Sequence, residues 1–304
     1  MSESHLPQRI LVGLDDSPDS LNALRMGLWL HRRLGASIEA LHAVDAPAPR
    51  DVAGRADEVA LQLAKGMDDA AKSLEDRVAR VMEEMMVQDL TLTDLLRITR
   101  GHPTQVLNDR AREIDADLIL IGPHQRRGWM DFGSTARSVL SHASKGIWVQ
   151  PSLPREPRRI LVPFDHSDHA HGALLLARDL ANAFGSELTI LNAYCPPVHA
   201  VAMAPGFGAS SLPAEAMQAD RDLAERTFHA RLEELGVPGE RQRAVFVDGL
   251  ASEAILARQS DHDLIVMGSH GRTGLASVFL GNVAHRVIQS AHIPVLALRH
   301  PDPR

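Results

Sequence analysis

In the stretch "MGSHGRTGLASVFLGN", residues 267–282, glycines stand at positions 268, 271, 274 and 281 between an apolar run and a helix-like run. Glycine at this density marks backbone that must come close to something, or must turn where a side chain would clash. A helix opening at Gly281, Asn282 and Val283 presents free N–H groups and the positive end of its dipole, and together these favour an anion such as a phosphate. Asn282 is a competent N-cap residue. Asp165, two residues beyond Pro163, offers a carboxylate that can accept hydrogen bonds from a ribose or a base. Arg272 either adds positive charge to a phosphate or is simply solvated. A plainer reading stands beside this one: the glycines shape a βα loop, and Asp165 and Asn282 cap helices.

Other chemistry finds less support. "DHSDHAHG" places His166, His169 and His171 beside Asp165 and Asp168, which is zinc-ligand chemistry by residue type. A helix would turn positions 169 and 171 to different faces, so a solvated helix start suits the segment better than a zinc site. Ser134 lacks a nucleophile-elbow pattern, and no Ser–His–Asp order follows from spacing. Cys195, between Tyr194 and two prolines, reads as a pocket-rim or buried small residue rather than a nucleophile. No catalytic residue is therefore assigned, and at most a phosphate cradle would support weak hydrolysis of its ligand.

The elements that must position these residues come in two copies. "RILVGLDDSPDS" (9–20) matches "RILVPFDHSDHA" (159–170), "DADLILIG" (115–122) matches "DHDLIVMG" (261–268), and "GSTARSVLSHASKGIWV" (133–149) matches "GNVAHRVIQSAHIPVLA" (281–297). Segments kept in the same order define a tandem duplication. Proline-rich residues 151–158 form the linker between a domain at 1–150 and another at 159–304. In the first half, strands are expected at 9–14, 37–44, 95–100, 117–122 and 146–150; in the second, at 159–164, 187–193, 243–247, 263–268 and 293–298. Several are apolar on both faces, as strands buried between two helix layers must be. Helical stretches between them imply right-handed crossovers. Each half is therefore expected to be a doubly wound α/β domain with a five-stranded parallel sheet. Ligands bind such sheets beyond the carboxyl ends of the strands, and the Asp-bearing and Gly-rich segments all fall on that edge.

The passage "DLIVMGSHGRTGLASVFLGNVAHRVIQSAHIPVLAL" closely resembles the C-terminal signature of the universal stress protein family, and the likeness extends over both halves. Nucleotide-binding members carry G-x2-G-x9-G-[ST], which Gly268, Gly271 and Gly281 fit in register. The resemblance implies a tandem universal stress protein with ATP or ADP, with or without Mg2+, held mainly by the second half. It assigns the phosphates to the Gly loop with Met267, His270 and Val283 alongside, the adenosine to Asp165, and the adenine pocket to Ala193 or its neighbour. Asn282 departs from the family's Ser or Thr. Backbone donors survive that change, but an amide is larger than a hydroxyl and differently aimed. The first half departs further: Gly122, Gly133 and Ser134 remain, but Gln125 replaces the second glycine, only seven residues lead from it to Gly133, and Pro123 stiffens the turn. Its site is expected to be degenerate.

Two further segments have open readings. Val59, Leu63, Met67, Ala70, Leu74, Val78, Val81 and Met85 make an a/d-like stripe within 57–88, either packing on the sheet or docking a partner at an exposed end. Residues 195–216 read as a lid or a loop, with Met203 and Phe207 positioned to cover an apolar ligand.

Composition bounds the partners. The chain has 304 residues, 44% hydrophobic and 23% charged, with room for two cores. A net charge of −7 makes nucleic acid a poor partner. A single cysteine excludes an internal disulfide and fits a reducing compartment. Neither a signal peptide nor a transmembrane run is visible, so a cytoplasmic protein without a membrane partner is expected. Adenine nucleotide and a regulatory protein are the expected partners. The paired domains are expected to form an intramolecular pseudo-dimer, with a homodimer and a non-nucleotide scaffold both left open.

Overall fold

The computed structural model describes residues 5–15, 17–44, 57–123, 146–196, 214–237, 239–270 and 280–299, with the side chains of 57–64 and of 67 outside that set. Gly271, Arg272, Gly274, Gln125, Gly133, Ser134, Met203 and Phe207, with the side chains of Val59, Leu63 and Met67, lie outside the described residues. The chain divides into two compact units, Pro7–Arg155 and Glu156–Arg304, the latter joined by Met1–Leu6.

In the N-terminal unit β1 (Arg9–Leu14) leads to α1 (Pro18–Leu34), β2 (Ser37–Val44), α2 (Asp57–Glu84), the single turn α3 (Leu92–Leu95), β3 (Leu96–Arg100), α4 (Pro103–Glu113), β4 (Leu118–Ile121) and β5 (Gly146–Val149). The strands are parallel and ordered β3-β2-β1-β4-β5. The C-terminal unit repeats the plan with β6 (Arg159–Pro163), α5 (Asp168–Phe184), β7 (Glu187–Tyr194), α6 (Ala214–Glu234), β8 (Gln242–Asp248), α7 (Ala251–Leu256), β9 (Leu264–Gly268), α8 (Asn282–Ser290) and β10 (Val295–Leu298). Its parallel sheet is ordered β8-β7-β6-β9-β10. In both, the order reverses beside the first strand, and this opens a crevice at the carboxyl edge.

The central strands explain the cores. Ile10, Leu11 and Val12 in β1 and Ile160, Leu161 and Val162 in β6 are buried on both faces, so each strand is sandwiched between helix layers. The first helix of each unit starts the same way: Ser17 accepts from the Ser20 amide and Ser167 from the Ala170 amide. Each ends on a left-handed glycine, Gly35 at φ 70° and Gly185 at φ 73°.

Most strands differ from expectation by one or two residues at an end, and two boundaries have a visible local cause. Thr91 and Asp94 form a reciprocal capping box that folds Leu92–Leu95 into a helical turn, so β3 begins at Leu96 rather than 95. The long helix stops at Glu84, and Met86 adopts φ 52°. Of its stripe, Leu74, Val78 and Val81 are buried while Ala70 is exposed. No helix among the described residues is long and apolar enough to cross a membrane.

Candidate functional site

At the carboxyl edge of the C-terminal unit, β6 hands the chain to α5 through Phe164, Asp165, His166 and Ser167. Asp165 Oδ1 accepts from the Ser167 amide (3.1 Å) and hydroxyl (2.6 Å), so one carboxylate oxygen holds the turn. His166 sits at φ 68°, an unusual left-handed position for a residue other than glycine, and its ring meets Phe164 edge-on at 5.2 Å. From β7, Asn192 Nδ2 donates to the Phe164 carbonyl at 2.7 Å, and this ties the ends of the two strands together. His42 does the same in the other unit, where its Nδ1 reaches the Leu14 carbonyl at 3.0 Å.

The opposite wall comes from β9 and α8. Gly268 ends β9 against the first turn of α5, where an added Cβ would lie 2.7 Å from His169 Cβ and 2.9 Å from its carbonyl carbon. Helix–strand packing alone therefore demands a glycine at this position. Gly122 repeats the arrangement, 2.6 Å from the backbone carbon of Asp19. The next residues form a clamp: the Ser269 amide donates to the Leu298 carbonyl (2.7 Å) and the Gly281 amide to the Ser269 carbonyl (2.8 Å). Ser269 and Gly281 are thus held together. The rings of His270 and His169 stand 5.4 Å apart, and His270 Nδ1 shares a hydrogen bond with the Ser269 hydroxyl.

The N-cap expected at Asn282 is displaced by one residue. Gly281 holds the extended dihedrals of the cap (φ −61°, ψ 149°), Asn282 is the first helical residue, and no side chain caps the turn. The extended turn needed to reach Ser269 falls on Gly281, which leaves the Asn282 side chain inside the helix proper. A helix leaves its first-turn amides without intrahelical partners. Among the described residues, those of Asn282, Val283 and Ala284 also have no side-chain cap, whereas the Gly281 amide is committed to the Ser269 carbonyl.

These elements enclose a cleft of about 320 Å³, at the low end of the range small-molecule sites occupy. Pro163, Asp165, Ala193, Met267, Gly268, His270, Gly281, Asn282 and Val283 line it, so every described residue singled out for this site borders one space. Asn192, the neighbour of Ala193, lines it too, as do Phe164, Ser269, Ala251 and Ile255, which were not singled out. Asn192 had a signal in its repeat position opposite His42; the α7 residues had none beyond amphipathic spacing. At the end of β7, Tyr194 donates to Asp220 Oδ2 at 2.5 Å, and that bond pushes its phenol up to about 12. Cys195 is exposed beside it.

His166, His169 and His171 do not converge with other ligands. Among the described residues no group of three or more His, Cys, Asp or Glu side chains is arranged to hold a metal ion. His171 lies away from the cleft, and burial, reinforced by the charge of Arg231, holds its imidazole below the ordinary value. In the N-terminal unit Asp15 accepts from the Ser17 amide and hydroxyl as Asp165 does from Ser167. Asp19, however, stands where the other unit has His169, and burial and the neighbouring Asp15 hold its carboxyl above the ordinary value.

Comparison with known proteins agrees with this architecture. A universal stress protein of Mycolicibacterium smegmatis is 27% identical over 308 residues, covering 98% of this chain and 99% of that one. One from Thermus aquaticus is 34% identical over 144 residues, 47% of this chain and 98% of its own. The crystal structure of a universal stress protein from Archaeoglobus fulgidus superposes with a TM-score of 0.64 at 18% identity, covering 96% of this chain and 98% of that one, a likeness of fold. The Universal stress protein family profile matches residues 7–151 and again 156–299. The chain belongs to the universal stress protein family, whose domain it carries twice in tandem.

Proposed function

We propose that the C-terminal unit binds ATP or ADP in the carboxyl-edge cleft, and that the bound state is what a regulatory protein partner reads. The observation that carries this reading is the uncapped first turn of α8 facing the same cleft as Asp165. The turn offers directed N–H donors and the positive end of a dipole to phosphates. Asp165 borders the cleft with Oδ1 securing its own turn, and its carboxylate is the group proposed to meet a ribose hydroxyl. Ala193 leaves room on the β7 wall for a planar base. Binding acts by linkage, stabilising whichever arrangement of the surrounding loops closes on the ligand. The N-terminal unit is the weaker candidate because Gln125 replaces the second glycine of its motif and Asp19 puts a carboxyl group where the other unit has His169.

A second reading has its own support. Asp165 Oδ1 and the Gly281 amide are both engaged internally, as in a scaffold whose loop contacts are purely structural. Calorimetric titration of ATP and ADP into the full chain separates the two. Heat is expected from wild type and none from Ala193→Trp, which fills the cleft from the β7 wall. Absence of heat in wild type, or equal heat in both proteins, defeats the nucleotide reading.

A further inference from the structure

At the opposite edge of the same sheet, where β6, β7 and β8 begin, a groove of about 720 Å³ runs under the end of α7. The corresponding place in the N-terminal unit is filled by ion pairs. There Glu39 on β2 receives a two-pronged bond from Arg110 (Nε to Oε1 2.8 Å, Nη2 to Oε2 2.6 Å), and Arg97 adds a contact at 3.3 Å. The strand register identifies the equivalents: Leu11 pairs with Glu39 as Leu161 pairs with Thr189, and Leu41 pairs with Arg97 as Leu191 pairs with Val245. Arg258 closes "GLASEAILAR" (249–258) as Arg110 closes "GHPTQVLNDR" (101–110). The C-terminal unit thus keeps the arginine and replaces its carboxylate with Thr189.

Arg258 lines the groove half-buried, and the only hydrogen bond of its guanidinium among the described residues runs from Nη1 to the Ala254 carbonyl at 3.1 Å. A planar guanidinium matches a carboxylate through paired donors. Arg243 and Arg241 line the same space, and among the described residues the Arg241 guanidinium donates only to the Gly185 carbonyl at 2.9 Å. Glu187, Glu240 and Asp261 also border it. These carboxylates oppose a continuous phosphate backbone, while Arg258 still accepts one localised negative group. The groove is larger than a lone carboxylate needs, and it follows β8, the outermost described strand of its sheet.

We propose that this groove binds an acidic segment of a partner polypeptide, one carboxylate of which takes the place at Arg258 that Glu39 fills at Arg110. The site is independent of the nucleotide cleft.

Fluorescence anisotropy with a labelled octapeptide alternating Glu and Ser tests it, with Gln in place of Glu as the control. Wild type is expected to bind the Glu peptide at least about tenfold more tightly than the control, as charge-assisted bonds predict. Arg258→Gln and Thr189→Glu should each erase that preference. Thr189→Glu, by supplying the internal partner, should also raise Tm. ATP calorimetry should be unchanged in both variants, which separates this site from the cleft. Equal binding of the two peptides, a preference surviving in both variants, or tighter binding of a short oligothymidylate than of the Glu peptide overturns the proposal.

Discussion

Asn282→Pro isolates one backbone donor. Position 282 is the first helical residue of α8, where proline's missing N–H and fixed φ are tolerated. The residue before a proline must be extended, and Gly281 already is, at φ −61° and ψ 149°. The substitution therefore removes a single N–H while leaving the helix and its dipole in place, and stability should move by no more than about 0.5 kcal/mol. Because the Gly281 amide is committed to Ser269, the first turn offers phosphate the amides of Asn282, Val283 and Ala284, and the variant deletes one of these. A hydrogen bond to a charged group contributes about 1.5–3 kcal/mol. ATP affinity by calorimetry should thus fall roughly 10- to 150-fold. Asn282→Ser, which keeps the N–H and restores the hydroxyl implied by the family resemblance, should bind at least as well as wild type. If Asn282→Pro is folded by circular dichroism and binds ATP within about twofold of wild type, α8 does not hold the phosphates.

Three other outcomes are expected. Gly268→Ala forces a Cβ to 2.7 Å from His169 Cβ and should destabilise the C-terminal unit by about 1–3 kcal/mol in urea unfolding; an unchanged midpoint would contradict the packing role. Tyr194 is the sole tyrosine of the chain, so the phenolate absorbance reads it directly: its midpoint should lie near 12 in wild type and shift down toward 10 in Asp220→Ala. The sign follows from a folded pKa raised above the unfolded one, so the contribution of the Tyr194–Asp220 bond is complete below about 10 and lost as pH climbs through about 12. His171 has the opposite sense. Its neutral form is favoured in the fold, so it stabilises above its ordinary value near 6.5 and that contribution is lost on acidification; the NMR signal missing from His171→Gln should titrate below about 6.5.

Much of this architecture is legible in the residues. The repeat register, the doubly apolar strands and the Asp- and Gly-bearing ends locate the crevice, because burial on two faces and chain reversal leave strong local signatures. The details that are not legible are those in which a distant backbone decides. Gly268 resembles a phosphate-approach glycine, yet His169, far away in sequence, is what excludes a side chain there. Asn282 has the chemistry of an N-cap, but the tie between Gly281 and Ser269 moves the cap back by one residue. Thr91 and Asp94 are a local signal that the apolar periodicity overrode. Thr189 offers no signal in isolation; only the repeat, by placing Glu39 at the same register, reveals what is missing beside Arg258.

The clamp between Ser269 and Gly281 also bears on how this family diversifies. A stretch whose two ends are fastened to each other, and to β10 through Leu298, can be lengthened or rewritten without disturbing β9 or α8. Each doubling of such a loop costs only about 0.6 kcal/mol of closure entropy. The interval from Gly122 to Gly133 is already two residues shorter than that from Gly268 to Gly281. Ser269 and Gly281 are thus a fixed socket, above which the sequence can be exchanged by graft while the sheet beneath keeps its stability.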